Sequence, residues 1–183
     1  MKVKTLFLIC FLSITCLLNA ADKPVIQIHT DNSSLIFRIA DNGRLYQSYL
    51  GKKLSHETDI SHLPHGTEAY ITHGMEDYFE PAIHILHNDG NPSLLLKYVS
   101  HETKAVSQGV NETIITLGDD KYPVTVKLHY VTYPAEDIIK TYTEISHKEK
   151  KPVVLHQYAS SMLHLNRAKY YLTEFAGDWA HEA

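Results

Sequence analysis

Cysteine is almost missing from this sequence. The 183 residues hold two, Cys10 and Cys16. Both lie in a leading apolar segment, so the chain beyond it has no thiol, which excludes disulfides, thiol nucleophiles and cysteine-ligated metals together. Basic runs are missing as well. Lys and Arg number 17 against 21 Asp and Glu, and they are too scattered to form the positive stripe that neutralises phosphates, so nucleic acid is excluded as a partner. No stretch after Leu18 approaches the roughly 20 apolar residues of a membrane span, and no membrane partner is expected. A capped helical stripe three turns long is absent too, which disfavours strands alternating with crossover helices. With 8 Gly and 7 Pro, collagen-like and low-complexity classes are out.

What is present begins with a targeting segment. Lys2 and Lys4 precede an apolar run from Leu6 to Leu18, and the small residues Ala20 and Ala21 lead into the polar Asp22-Lys23-Pro24. That order is the pattern of a secretory signal peptide. We divide the chain into a signal peptide at 1–20 and one domain at 22–183, exported to a periplasm or to the outside of the cell. Acylation at Cys16 is disfavoured because Thr15 stands where a lipid-attachment site wants Gly, Ala or Ser. Without Lys2 and Lys4 the exported part carries 15 basic and 21 acidic side chains, a net charge of −6. About 160 residues bury enough surface to fold without a staple.

Alternation of apolar and polar residues dominates that domain. In Val124-Thr125-Val126-Lys127-Leu128-His129-Tyr130 the residues at 124, 126, 128 and 130 share one face of a half-buried strand. Similar runs occur at 25–29, 35–39, 45–50, 69–72, 82–87, 94–99, 113–117, 138–145, 153–160 and 170–175. Turn signals part them: Asp41-Asn42-Gly43, His65-Gly66, Asn88 to Pro92, Gln108-Gly109, Gly118-Asp119-Asp120 and Tyr133-Pro134. The reading is all-β, an antiparallel β-sandwich. Residues 52–74, polar and rich in His, show little alternation and read as a long loop of the kind that often carries function.

Thirteen histidines raise the question of metal. His62 and His65 flank Pro64 without an evident third ligand. His84 and His87 stand three apart in an alternating segment, so they point to opposite faces and cannot chelate together. No metal and no cofactor is expected. Ser160-Ser161 lacks the glycine elbow of a nucleophilic serine. Asn32-Ser33-Ser34 and Asn111-Glu112-Thr113 are glycosylation sequons. The acidic run Glu76-Asp77-x-x-Glu80 beside Tyr78 and Phe79 suits a polar and aromatic clamp on a sugar better than a catalytic carboxylate pair, which different strands normally supply.

A wider resemblance rests on several of these stretches in order. They are Gly43-Arg44-Leu45; His65-Gly66 followed by Glu76-Asp77-Tyr78-Phe79-Glu80-Pro81-Ala82; Leu128 to Tyr133 with Asp137-Ile138-Ile139-Lys140; Ser160-Ser161-Met162-Leu163; and Gly177-Asp178-Trp179-Ala180-His181-Glu182. Together they resemble the N-terminal domain of glycoside hydrolase family 36. The resemblance implies a β-supersandwich that precedes a (β/α)8 barrel in a retaining α-galactosidase. It implies a barrel as partner, a galactose-containing oligosaccharide as ligand through the parent enzyme, and homo-oligomer contacts. By that resemblance Asp77, Tyr78 and Phe79 are candidates for the rim of the sugar site.

Two departures matter. Phe79 stands where the family has an arginine, which removes a forked cationic donor, and Ser161 stands where it has alanine. The two catalytic aspartates of the family lie in the barrel, so the resemblance implies that this chain has no catalytic residues and is inactive alone. It also implies a chain ending within the sandwich, with unpaired sheet edges. A different reading is a stand-alone secreted carbohydrate-binding sandwich.

Overall fold

The computed structural model describes residues 23–74, 79–165, 171 and 173–174. Its strands are β1 (Val25–His29), β2 (Ser33–Ile39), β3 (Leu45–Lys52), β4 (Thr67–Glu68), β5 (Ile83–Leu86), β6 (Leu96–Ser107), β7 (Val110–Asp119), β8 (Val124–Tyr133), β9 (Ile138–His147) and β10 (Val154–Tyr158), with one short helix, α1 (Glu57–Ser61), between β3 and β4. The first sheet runs β1-β2-β3-β4, the second β6-β7-β8-β9, and a small sheet pairs β10 with β5. Every paired strand is antiparallel to its neighbour. The fold is the all-β sandwich that the alternation predicts.

Inward residues of all three sheets meet in one core. Ile26, Ile28, Leu35, Phe37 and Leu45 come from the first sheet, Ile115, Leu117, Val124, Val126, Leu128 and Tyr130 from the second, and Ile83 and Ile85 from β5. The Phe37 and Tyr130 rings bridge the two large sheets with centroids 5.2 Å apart. Burying one such side chain stabilises the fold by about 1.5–3 kcal/mol. Edge bonds add to this: Tyr98 N–H donates to the Gly43 carbonyl at 2.9 Å, and Asp31 N–H to the Pro134 carbonyl at 3.2 Å.

Residues 52–74 depart from the loop expected of them. Arg38 donates to the Ile60 carbonyl, and Leu54 N–H donates to Ser34 Oγ at 2.9 Å. The segment thereby lies against the outward side of β2, where Ile36 and Ser34 are fully buried, and α1 contributes a buried Ile60. That is why β2 is buried on both faces. Two expected strands also shift. Residues 69–72 form no strand, only a parallel bridge of Thr72 to Ile83 beside single backbone bonds at Ala69 and Ile71, and the expected 94–99 strand continues to Ser107. Half of 170–175 lies outside the described residues; Tyr171, Thr173 and Glu174 are not in a strand.

Candidate functional site

The rim candidates precede β5 in the sequence. Asp77 and Tyr78 lie outside the described residues, as does the closing motif from Gly177 to Glu182. Phe79 is described and is 66% exposed. Residues 80–82 are clasped from both sides. Ala82 N–H donates to the Ile71 carbonyl at 2.7 Å, while the Ala82 carbonyl accepts from Ala159 N–H at 2.7 Å. Gln157 Nε2 donates to Glu80 Oε1 at 2.8 Å and to the Pro81 carbonyl at 3.0 Å. Before the segment, Gly74 has φ +85, and a Cβ there would lie 2.8 Å from Ser93 Oγ. On the near side, His73 N–H donates to the Ile83 carbonyl at 3.0 Å, so the described residues flanking 75–78 are bonded to the small sheet.

An apolar and aromatic surface borders this anchor. Leu155 and Tyr158 stand opposite Ile85 and Ile83 of β5, yet Tyr158 is 63% exposed, and Val154, Leu155, Leu163 and Leu165 are exposed with it. Among the described residues nothing pairs with the far edge of β10. An unpaired edge lined by apolar side chains is what a sheet shows where another layer is meant to cover it. The segment after β10 is fixed by the buried Gln47, whose Nε2 donates to the His164 carbonyl at 2.7 Å and whose Oε1 accepts from His164 N–H at 3.1 Å.

The histidines divide by environment. His62 and His65 are exposed and separate, His62 closing the C-terminal end of α1. His84 and His87 do point to opposite faces, as strand spacing requires. His87 lies inside, its Nδ1 2.7 Å from Glu149 Oε1 and its Nε2 3.2 Å from the Ser93 carbonyl, with its ring stacked on Tyr122 at 3.5 Å. Hydrogen bonds to His87 and Asn88 hold the Glu149 carboxyl below its ordinary value against the opposing effect of burial. Outside, His84 meets His73 and His156. Among the described residues no three ligating side chains converge on one point.

Two further polar features went unforeseen. On the outward face of the second sheet Glu112 accepts from Tyr142 Oη at 2.6 Å and lies 2.9 Å from both Lys104 Nζ and His129 Nδ1. Those bonds, that of Tyr142 first, hold its carboxyl down at about 2. Register places these four residues on adjacent strands, and only pairing known in advance would reveal it from sequence. A cleft of about 220 Å³ opens beside Leu94, Leu95 and Tyr122. The Asp119 carboxylate lining it is occupied by the backbone N–H groups of Leu95, Lys121 and Tyr122, which makes it a turn cap and not a ligand group.

Comparison with known proteins places this geometry. The profile of the glycosyl hydrolase family 36 N-terminal domain matches residues 42–183. No curated protein matches the chain. Among solved structures, an α-galactosidase from Lactobacillus brevis superposes with a TM-score of 0.64 at 18% identity, over 76% of this chain and 23% of that one. The galactosidase domain of an α-galactosidase–sucrose kinase gives 0.67 at 19% identity, over 75% and 24%. An α-galactosidase from Geobacillus stearothermophilus in complex with raffinose gives 0.66 at 18%, over 75% and 24%. The chain therefore spans about a quarter of the length of each solved structure it matches. At such identities the structures show the fold, and the profile over residues 42–183 shows the family: the chain belongs to the glycosyl hydrolase family 36 N-terminal domains.

Proposed function

We propose that this chain is the non-catalytic N-terminal sandwich portion of an exported α-galactosidase-like glycoside hydrolase. In this reading it packs on a (β/α)8 barrel, and Asp77, Tyr78 and Phe79 line the rim of the barrel's sugar site. The observation that carries it is the set of exposed apolar side chains on β10 and on the segment after it, Leu155, Tyr158, Leu163 and Leu165, together with the exposed Phe79 just before the residues that β10 holds. Apolar side chains left exposed in such a set are what a neighbouring layer would cover. The ligand of the parent enzyme would be a galactose-containing oligosaccharide, and its reaction a hydrolysis with retention through a glycosyl-enzyme.

The test has two arms. An antibody raised against residues 22–183 detects a native polypeptide several times larger than the 20.8 kDa of this chain, and N-terminal sequencing finds it cleaved near Ala20. The purified 183-residue chain hydrolyses no aryl α-galactoside. Turnover by that chain would overturn the non-catalytic role.

A second reading, a stand-alone carbohydrate-binding module, draws on the exposure of Phe79 and Tyr158, since sugars stack on open aromatic faces. Calorimetry separates the two. Binding of a galactose-containing oligosaccharide by the isolated chain, lost in a Tyr78→Ala, Phe79→Ala variant, favours the module.

A further inference from the structure

Three imidazoles far apart in sequence lie against one another on the outer side of the small sheet. His84 stands on β5, whose other face delivers Ile83 and Ile85 to the core. His73 comes alongside it because Thr72 bridges Ile83 and the His73 N–H donates to the Ile83 carbonyl at 3.0 Å. His156 arrives from β10 at the register shift between Leu155 and Gln157, and such a bulge re-aims a side chain. The His73 and His84 rings stack with centroids 3.7 Å apart and planes 21° apart. The His84 and His156 centroids are 4.8 Å apart at 35°.

Neutral imidazoles pack well at these distances. A proton on one ring sets a charge against its neighbours, and a second proton meets direct repulsion. No carboxylate pairs with these three rings among the described residues, in contrast to His87 and His129. The acid nearest in the bonding pattern, Glu80, is held by Gln157, the residue opposite His84. Glu76 and Asp77 lie outside the described residues. Burial first, then the charges of His73 and His156, lowers the His84 pKa. A histidine whose folded value is depressed gives its stability above the ordinary value of about 6.5, and that contribution is lost as the pH falls below it.

We infer that the His73–His84–His156 stack is an acid-sensitive fastener, which holds β10 on β5 while its rings are neutral and loosens that sheet when they take up protons. Loosening releases one of the two clasps on the Glu80–Ala82 segment, that of Gln157 and Ala159, and leaves the bond of Ala82 N–H to the Ile71 carbonyl. This inference stands apart from the proposed function. It concerns a local opening of the fold, whatever surface the sheet meets.

Amide exchange of the full chain between pH 8 and pH 5, corrected for intrinsic rates, tests it. Protection in Val154–Tyr158 falls below about pH 6.5 by up to about tenfold per pH unit, the limit for an opening that takes up one proton, while protection in β8 holds. In His84→Gln, and separately in His156→Gln, the fall is flattened. Glu80→Gln keeps it, as does a Glu76→Gln, Asp77→Asn variant. A pH-independent β10 in the wild-type chain overturns the inference. So does a fall undiminished in both histidine variants, or one abolished by a carboxylate variant.

Discussion

Gly66 is the position where one added methyl group does the most damage for an identifiable reason. Its φ is +82, and an ideal Cβ there would lie 1.9 Å from the carbonyl oxygen of Gln47, 2.7 Å from the Gln47 carbonyl carbon and 2.9 Å from Ser48 Cα. All three are backbone atoms of β3, a central strand of the first sheet, so no rotamer change relieves the contact. Gly90 is the natural control. Its φ is +83, with nothing within 4 Å of its own Cβ position. Both substitutions to alanine incur left-handed strain of about 1–2 kcal/mol. Gly66→Ala adds the displacement of packed backbone, about 1–3 kcal/mol more, for a total of about 2–5 kcal/mol. Urea titrations followed by far-ultraviolet circular dichroism compare the variants. At a slope of about 2 kcal/mol per molar urea, Gly66→Ala melts about 0.5–1.5 M earlier than Gly90→Ala. Equal midpoints for the two variants would refute the steric argument and leave strain as the sole cost.

Gln47→Leu keeps the volume but strips both bonds to His164; the cost is about 1–3 kcal/mol, and exchange at His164 rises while β8 stays protected. Unchanged protection at His164 would show that the amide clamp holds nothing. Tyr142→Phe removes the leading cause of the low Glu112 value, so the Glu112 carboxyl titrates closer to the ordinary glutamate range when its carbon resonance is followed by NMR; an unmoved titration contradicts that assignment. A carboxyl depressed in the folded state contributes stability above its unfolded value, and the contribution is lost as pH falls through the folded one. Glu112→Gln therefore loses less stability between about pH 4.5 and pH 2 than the parent does, a difference read from acid-dependent urea midpoints, and parallel curves would contradict it.

Strands that bury one face are legible because alternation is a local signal. β8 is the clearest case: Val124, Val126, Leu128 and Tyr130 are buried where the pattern places them. β6 outruns its pattern because its residues from Val99 to Ser107 are exposed on both sides. Backbone pairing with β7 holds that stretch, and exposed pairing leaves no hydrophobic period to detect. Residues 69–72 mislead for the opposite reason. Ala69, Tyr70 and Ile71 are all buried, so the apolar signal is real, but it reflects a connection packed in the core beside β5. The site is legible only in outline. Sequence order brings out Asp77, Tyr78 and Phe79; nothing local reveals that Gln157 and Ala159, about 80 positions on, grip the chain next to them.

The histidines show why composition alone misleads about chemistry. A high count invites a metal reading, yet each group described is explained by what lies opposite it. His87 faces a carboxylate inside the sandwich, His129 faces one on the outward side of the second sheet, and His84 faces other imidazoles. Taking up a proton strengthens a histidine's bond to a carboxylate and weakens its contact with another histidine. On the inferred fastener, mild acid therefore works locally, against the pairing of β10 with β5, while the pairing of β7, β8 and β9 does not depend on it. A probe of global unfolding alone would miss a local opening, and only a residue-resolved measurement detects it.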